Sequence, residues 1–105
     1  MGDCIFCKII QGEIPCKKIY EDQEFLAFHD INPAAPIHFL IIPKKHIVSL
    51  ADVTDEDTAM LGRLMALIPK LAKENGCTDG FRTIINTGKN GGQAVAHLHI
   101  HVFGG

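Results

Sequence analysis

The chain has 105 residues, a formal charge of −2 from 10 basic and 12 acidic side chains, and a hydrophobic content of 47%. That length suits one domain spanning residues 1–105, with a core modest enough that self-association would be a natural supplement. The charge balance excludes a nucleic-acid partner held by a basic footprint, and no apolar run approaches the ~20 residues that cross a membrane.

The opening residues, Met1-Gly2-Asp3-Cys4-Ile5-Phe6-Cys7-Lys8, lack the basic stretch and apolar run of an export signal. Phe6 stands where a myristoylation site on Gly2 needs Ser or Thr, which disfavours lipidation. A cytoplasmic, reducing setting is expected. Cys4, Cys7, Cys16 and Cys77 are then free of disulfides and left for metal, catalysis or burial.

Residues 4–11 predict a short helix, with Asp3 as N-cap, Ile5, Ile9 and Ile10 near helical spacing, and Gly12 and Pro15 ending it. Ile19–Tyr20 and Phe25–His29 read as a hairpin turning through Glu21-Asp22-Gln23-Glu24. A loop with two prolines follows, and then a buried strand over His38–Ile42, stopped by Pro43. Thr54 offers an N-cap hydroxyl ahead of Asp55, Glu56 and Asp57, where the helix dipole favours acids. Apolar residues at 60, 61, 64, 67, 68 and 71 keep the helical period, and Gly76 suits the position after the cap. Pro69 predicts a kink or a helix in two pieces. Phe81–Asn86 is a strand, Thr87–Gly92 a turn with three glycines, and Ala96–Phe103 the last strand. The expected class is α+β with a mainly antiparallel sheet, because the connections are too short for a doubly wound parallel one.

The chemistry concentrates in His97-Leu98-His99-Ile100-His101. A strand repeats every two residues, so three imidazoles share one face, roughly 6.5–7 Å apart, while Leu98, Ile100 and Val102 share the other. Each ring can serve as nucleophile, acid, base or metal ligand near neutral pH. Just upstream lies Asn86-Thr87-Gly88-Lys89-Asn90-Gly91-Gly92-Gln93, whose glycines let backbone N–H groups approach an anion. Next to the histidines this bend reads as a phosphate cradle. Cys4-x-x-Cys7 is half of a common zinc ligand set. Cys16 and Cys77 read as plain thiols, His38 as structural, and Lys44 and Lys45 as solvated loop charges.

His-x-His-x-His after Gly-Gly-Gln resembles the signature of the histidine-triad (HIT) superfamily, and within it the Hint branch of nucleoside phosphoramidases. The likeness runs from Cys4 to Gly105 and takes in Lys8-Ile9-Ile10, Ala27-Phe28-His29-Asp30-Ile31 and Ile42-Pro43-Lys44-Lys45-His46-Ile47. It implies a five-stranded antiparallel sheet with one short and one long helix. It also implies a homodimer that joins two such sheets into one of ten strands. His99 would attack the α-phosphorus of a purine nucleoside monophosphate conjugate to form a nucleotidyl-histidine, and His101 would stabilise charge near the leaving group. Asn86 and the backbone of Gly92, Gln93 and Ala94 would hold phosphate, and Asp30 the ribose hydroxyls. Ile5, Phe6, Ile9, Phe28, His29 and Ile31 would line an apolar purine slot. Cys4, Cys7, His46 and His97 would hold a structural zinc, and no organic cofactor is expected.

Two features depart from that pattern. Ala94 stands where many Hint proteins have serine, which predicts slower or altered turnover. The family's Trp-containing C-terminal tail is absent from the chain as read. Two rival readings remain: a nucleotide-binding regulatory scaffold with little turnover, and a metalloenzyme holding a catalytic zinc on two alternate histidines.

Overall fold

A computed structural model describes residues 3–105, so the expectation about Gly2 lies outside the described residues. The first helix, α1 (Ile5–Ile10), is capped by Cys4 and not by Asp3. The Cys4 backbone is extended and its sulfur accepts the Cys7 N–H at 3.3 Å, the role an N-cap oxygen usually plays. Gly12, at φ +81°, turns the chain out of the helix in a conformation other residues rarely adopt.

Strands β1 (Lys18–Glu21) and β2 (Phe25–His29) form the expected hairpin. Asp22 closes its turn by accepting the Glu24 and Phe25 N–H groups on one carboxylate oxygen, both at 2.7 Å. Strand β3 (Ile37–Pro43) pairs antiparallel with β2 and, on its other side, with the last strand, β5 (Ile100–Gly104). Strand β4 (Phe81–Ile84) pairs antiparallel with β5, giving the order β1-β2-β3-β5-β4. It stops two residues short of the expected Asn86.

The long helix α2 (Thr58–Glu74) follows a 3₁₀ turn, Asp55–Asp57. It runs through Pro69 without dividing. Both Pro69 and Met65 are exposed, so the carbonyl that loses its partner faces solvent and the helix need not break. Asp57 accepts the Thr54 N–H at 3.0 Å, as the capping pattern requires, and also pairs with Lys45 at 2.6 Å. Lys44 pairs with Glu21 at 2.8 Å. Both ion pairs lie at the surface: Lys45 stays a solvated charge with 57% of its side chain exposed, whereas Lys44 is 26% exposed.

Helix α2 covers one face of the sheet, burying Phe39, Ile41, Ile100 and Val102 under Leu64, Ile68 and Leu71. Helix α1 covers part of the other, where Phe6 meets Leu26, Phe28, Leu40 and Ile42. Strands β2 and β3 are buried on both faces, which is why they read as unbroken apolar runs. All four cysteines are free thiols.

Candidate active site and metal centre

The last strand begins at Ile100 and not at Ala96, so His97 and His99 precede the ladder and His101 lies within it. Two backbone bonds pull the approach segment away from β3: the His97 N–H donates to Val95 O at 2.8 Å and the Leu98 N–H to Ile47 O at 2.7 Å. The alternation survives that departure. Leu98, Ile100 and Val102 are all within 2% of full burial on the α2 side, so the intervening histidines are turned towards the α1 side.

Each histidine has a ring nitrogen whose role is set by what faces it. His99 Nδ1 lies 2.7 Å from the His97 carbonyl oxygen, which can only accept, so Nδ1 carries the proton and Nε2 keeps its lone pair. His97 Nε2 lies 2.8 Å from the Pro43 carbonyl, so that ring is protonated on Nε2 and presents a bare Nδ1. Burial, assisted by the neighbouring His46 and His99, lowers the His97 pKa and favours the neutral ring. Burial also lowers the His101 pKa, with His99 and His38 acting in the same sense.

The bare Nδ1 of His97 points at sulfur. It lies 3.3 Å from Cys4 Sγ and 3.6 Å from Cys7 Sγ, and His46 Nδ1 lies 3.1 Å from Cys7 Sγ. The four ligand atoms all fall within 4.8 Å of one another, a group able to hold a metal ion. Tetrahedral zinc, with Zn–S about 2.3 Å and Zn–N about 2.0–2.1 Å, needs S···N edges of roughly 3.5 Å, and the donor set fits. The Pro43 carbonyl supplies the outer hydrogen bond that fixes the tautomer of a ligating histidine. Without a cation, burial and the adjacent Cys4 push the Cys7 thiol up to about 11.

The residues expected to line a nucleotide site fall into separate places. Phe6 and Phe28 are packed edge to face at 5.6 Å and almost buried, and Ile9 packs against that cluster. Phe6 also sits edge-on to His99, with centroids 5.2 Å apart. His29, Asp30, Ile31 and His38 line a pocket of ≈ 340 Å³. Ile5 is not among them. It lines a different hollow of ≈ 390 Å³ with Ala94, Val48 and His46. Asn86 lies just past the end of β4, half-buried.

In the glycine bend, the amides of Gly92 and Gln93 close the turn itself, donating to Lys89 O and Gly88 O at 3.1 Å each. Gln93 is also fully engaged through its side chain. Its amide NH₂ donates to Val48 O at 2.6 Å and Val95 O at 2.9 Å, and its oxygen accepts the Gly88 N–H at 2.9 Å. Gln93 therefore clamps the bend to the segment after His46.

A family model for the HIT domain matches residues 11–105. The chain belongs to the HIT family. It is 57% identical to Protein HitA of Neisseria gonorrhoeae over 104 residues, 99% of this chain and 97% of that protein. A HIT family hydrolase from Legionella pneumophila superposes with a TM-score of 0.95 at 48% identity, covering 98% of this chain and 93% of that one. A histidine triad protein from Clostridium difficile gives 0.95 at 51% identity, covering 100% and 92%. The five-stranded antiparallel sheet with one long and one short helix is the HIT fold of these neighbours.

Sequence reasoning reads His38 as structural, and it is buried, but its partner on another strand was not foreseen. It stands directly opposite Phe103 across the β3–β5 ladder, while Leu40 stands opposite His101, so His38 and His101 are diagonal neighbours on one face. His38 Nε2 lies 2.9 Å from His101 Nδ1. The signal was available in the pairing register of the strands, which neither strand shows alone.

Proposed function

We propose that this HIT protein is a purine nucleoside phosphoramidate hydrolase, acting through a covalent nucleotidyl intermediate on His99. The observation that carries the reading is the hydrogen bond between His99 Nδ1 and the His97 carbonyl, which leaves Nε2 as a free nucleophile in a ring that stands outside the sulfur cluster. The hydrolase name of the Legionella neighbour supports the reaction class.

In the first step His99 Nε2 bonds to the α-phosphorus and the P–N bond breaks. Its electron pair goes to the departing nitrogen, which takes a proton from solvent and leaves as the amine. In the second, water attacks phosphorus, the P–Nε2 pair returns to the ring, and the water's proton is released, giving the nucleoside monophosphate. His101 donates to a phosphate oxygen near the leaving group as charge develops. Phosphate contact falls to Ala94, Asn86 and the two imidazoles, because the Gly92 and Gln93 amides close the bend. Asp30 takes the ribose, and Phe6, Ile9, Phe28, His29 and Ile31 shape the purine end. Ile5 shares its hollow with Ala94, Val48 and His46.

A panel of nucleoside 5′-phosphoramidates tests the reaction. His99→Ala is expected to lower kcat at least ~10³-fold, and wild type is expected to carry labelled nucleotide on His99 after a rapid quench. Ala94→Ser is expected to raise kcat/KM unequally across amine leaving groups. Binding without turnover or labelling would make the protein a nucleotide-binding scaffold instead.

Zinc is the metal that best suits the two thiols and two imidazoles, and with four protein ligands it leaves no open position for catalysis. When bound it supplies a structural tie between α1 and the approach to β5. One zinc per chain is expected by metal analysis. Cys7→Ser is expected to lose it and lower Tm, whereas His99→Ala keeps it; retention of zinc by Cys7→Ser would contradict the assignment.

The same reading includes a homodimer. Strand β4 is a sheet edge with Phe81 40% exposed, and α2 exposes Met65 at 55%, both apolar surfaces that a second copy would cover. Sedimentation is expected to give twice the chain mass, and Met65→Lys with Phe81→Lys the chain mass alone. We assign the chain to the cytoplasm as a single HIT domain; no helix among the described residues is long and apolar enough to cross a membrane.

A further inference from the structure

We propose that Cys4 and Cys7 form a thiol–disulfide exchange site for low-molecular-weight disulfides, in which Cys4 attacks first and Cys7 resolves, so that oxidation discharges the metal. The inference rests on the metal assignment above, but its chemistry belongs to the two sulfurs and is read on them directly.

The four-residue cluster is not evenly buried. Cys4 and His46 are half-buried and line the hollow of ≈ 390 Å³, whereas Cys7 and His97 do not line it. Cys7 is 8% exposed and His97 is fully buried. One half of the cluster therefore opens on solvent and the other half lies in the core. A small disulfide entering the hollow meets Cys4 before it can meet Cys7.

Local geometry prepares the second step. Cys4 caps α1, and its sulfur accepts the Cys7 N–H at 3.3 Å, which holds it over the residue it would bond. The two sulfurs lie within 4.8 Å of each other. Closing a bond of about 2.0 Å then takes side-chain rotation and a small shift of the cap, with no movement across the fold.

One co-reactant balances the exchange. Both sulfurs react as thiolates, the form a bound cation enforces. Cys4 Sγ attacks one sulfur of the small disulfide, whose S–S bond breaks and whose electron pair leaves with the other sulfur as a small thiolate. Cys7 Sγ then attacks Cys4 Sγ in the mixed disulfide and expels the second small thiolate. The cysteine pair loses two electrons, the small disulfide gains them, and no proton moves. His46 and His97 are left as the only ligands, too few for a closed tetrahedral site.

The other two cysteines lack these features. Neither has another cysteine within three residues. Burial raises the Cys16 pKa and keeps that group a thiol, the poorer nucleophile. Cys77 is 7% exposed and packs against Gly104. The reactive pair is also the one tied to the triad. His97 Nδ1 lies 3.3 Å from Cys4 Sγ and 3.6 Å from Cys7 Sγ, and the His97 carbonyl accepts the His99 Nδ1 proton. Joining the sulfurs takes from His97 the partners that its ring faces.

The test follows the sulfurs and the metal, with no turnover required. The zinc-loaded full chain is mixed with a large excess of glutathione disulfide, quenched at intervals with an alkylating reagent, digested and mapped by mass spectrometry, while a chromophoric chelator reads released zinc. Glutathione is expected first on Cys4, followed by a Cys4–Cys7 crosslink that has lost it, with one zinc released per crosslink. Dithiothreitol and added zinc are expected to reverse both. Cys7→Ser is expected to stop at a stable glutathione adduct on Cys4; if that variant fails to fold, the wild-type time course decides alone. Glutathione appearing first on Cys7 or Cys16, a crosslink to any other cysteine, no crosslink, or zinc retained by the crosslinked chain would overturn the proposal. A chain that holds no zinc when reduced overturns the metal assignment and the discharge with it, whereas the order of attack is still read from the same digests.

Discussion

The chemistry of this site depends on the hydrogen bond from His99 Nδ1 to the carbonyl of His97, 2.7 Å long and buried. An imidazole is an ambiguous group, donor on either nitrogen and nucleophile on the other, and in water it exchanges between these forms freely. A carbonyl at Nδ1 removes the ambiguity. The same residue, His97, turns its own ring to the Pro43 carbonyl and to the two sulfurs. One residue therefore joins the candidate metal ligands, through its side chain, to His99, through its backbone.

The three histidines of the triad are consequently not three copies of one group. A carbonyl partner leaves His97 with a bare Nδ1, and another carbonyl leaves His99 with a bare Nε2. His101 Nδ1 instead faces another ring, with His38 Nε2 at 2.9 Å. The sheet makes this division affordable in structural terms. Leu98, Ile100 and Val102 lock the strand into the core under α2, so the opposite face cannot rotate away from its task. Burial also favours neutral rings at His97 and His101, the form in which a single proton per ring can be placed.

Much of this was legible in the sequence, because alternation is a local signal. The HxHxH stretch, the apolar residues between its histidines, the Cys-x-x-Cys pair, the hairpin at Asp22 and the acidic start of α2 each announce themselves within a few residues. What remained hidden depends on partners far along the chain. The late start of β5 comes from Ile47 capturing the Leu98 amide. The unbroken passage of α2 through Pro69 depends on which side of the helix meets solvent, and Cys4 displaces Asp3 as the cap because its sulfur meets the Cys7 amide. Gln93 reads as a ligand beside glycines, yet its three hydrogen bonds are all internal, one of them to Val48, 45 residues away. His38 reads as an ordinary core histidine until the β3–β5 register brings it beside His101.

The most direct test of the account is to identify which nitrogen becomes bonded to phosphorus. The nucleotidyl adduct, trapped by rapid quench from an adenosine phosphoramidate, can be digested and its linkage assigned by mass spectrometry and phosphorus–nitrogen NMR coupling. The account predicts a single adduct on Nε2 of His99. An adduct on Nδ1, or on any other residue, would contradict it.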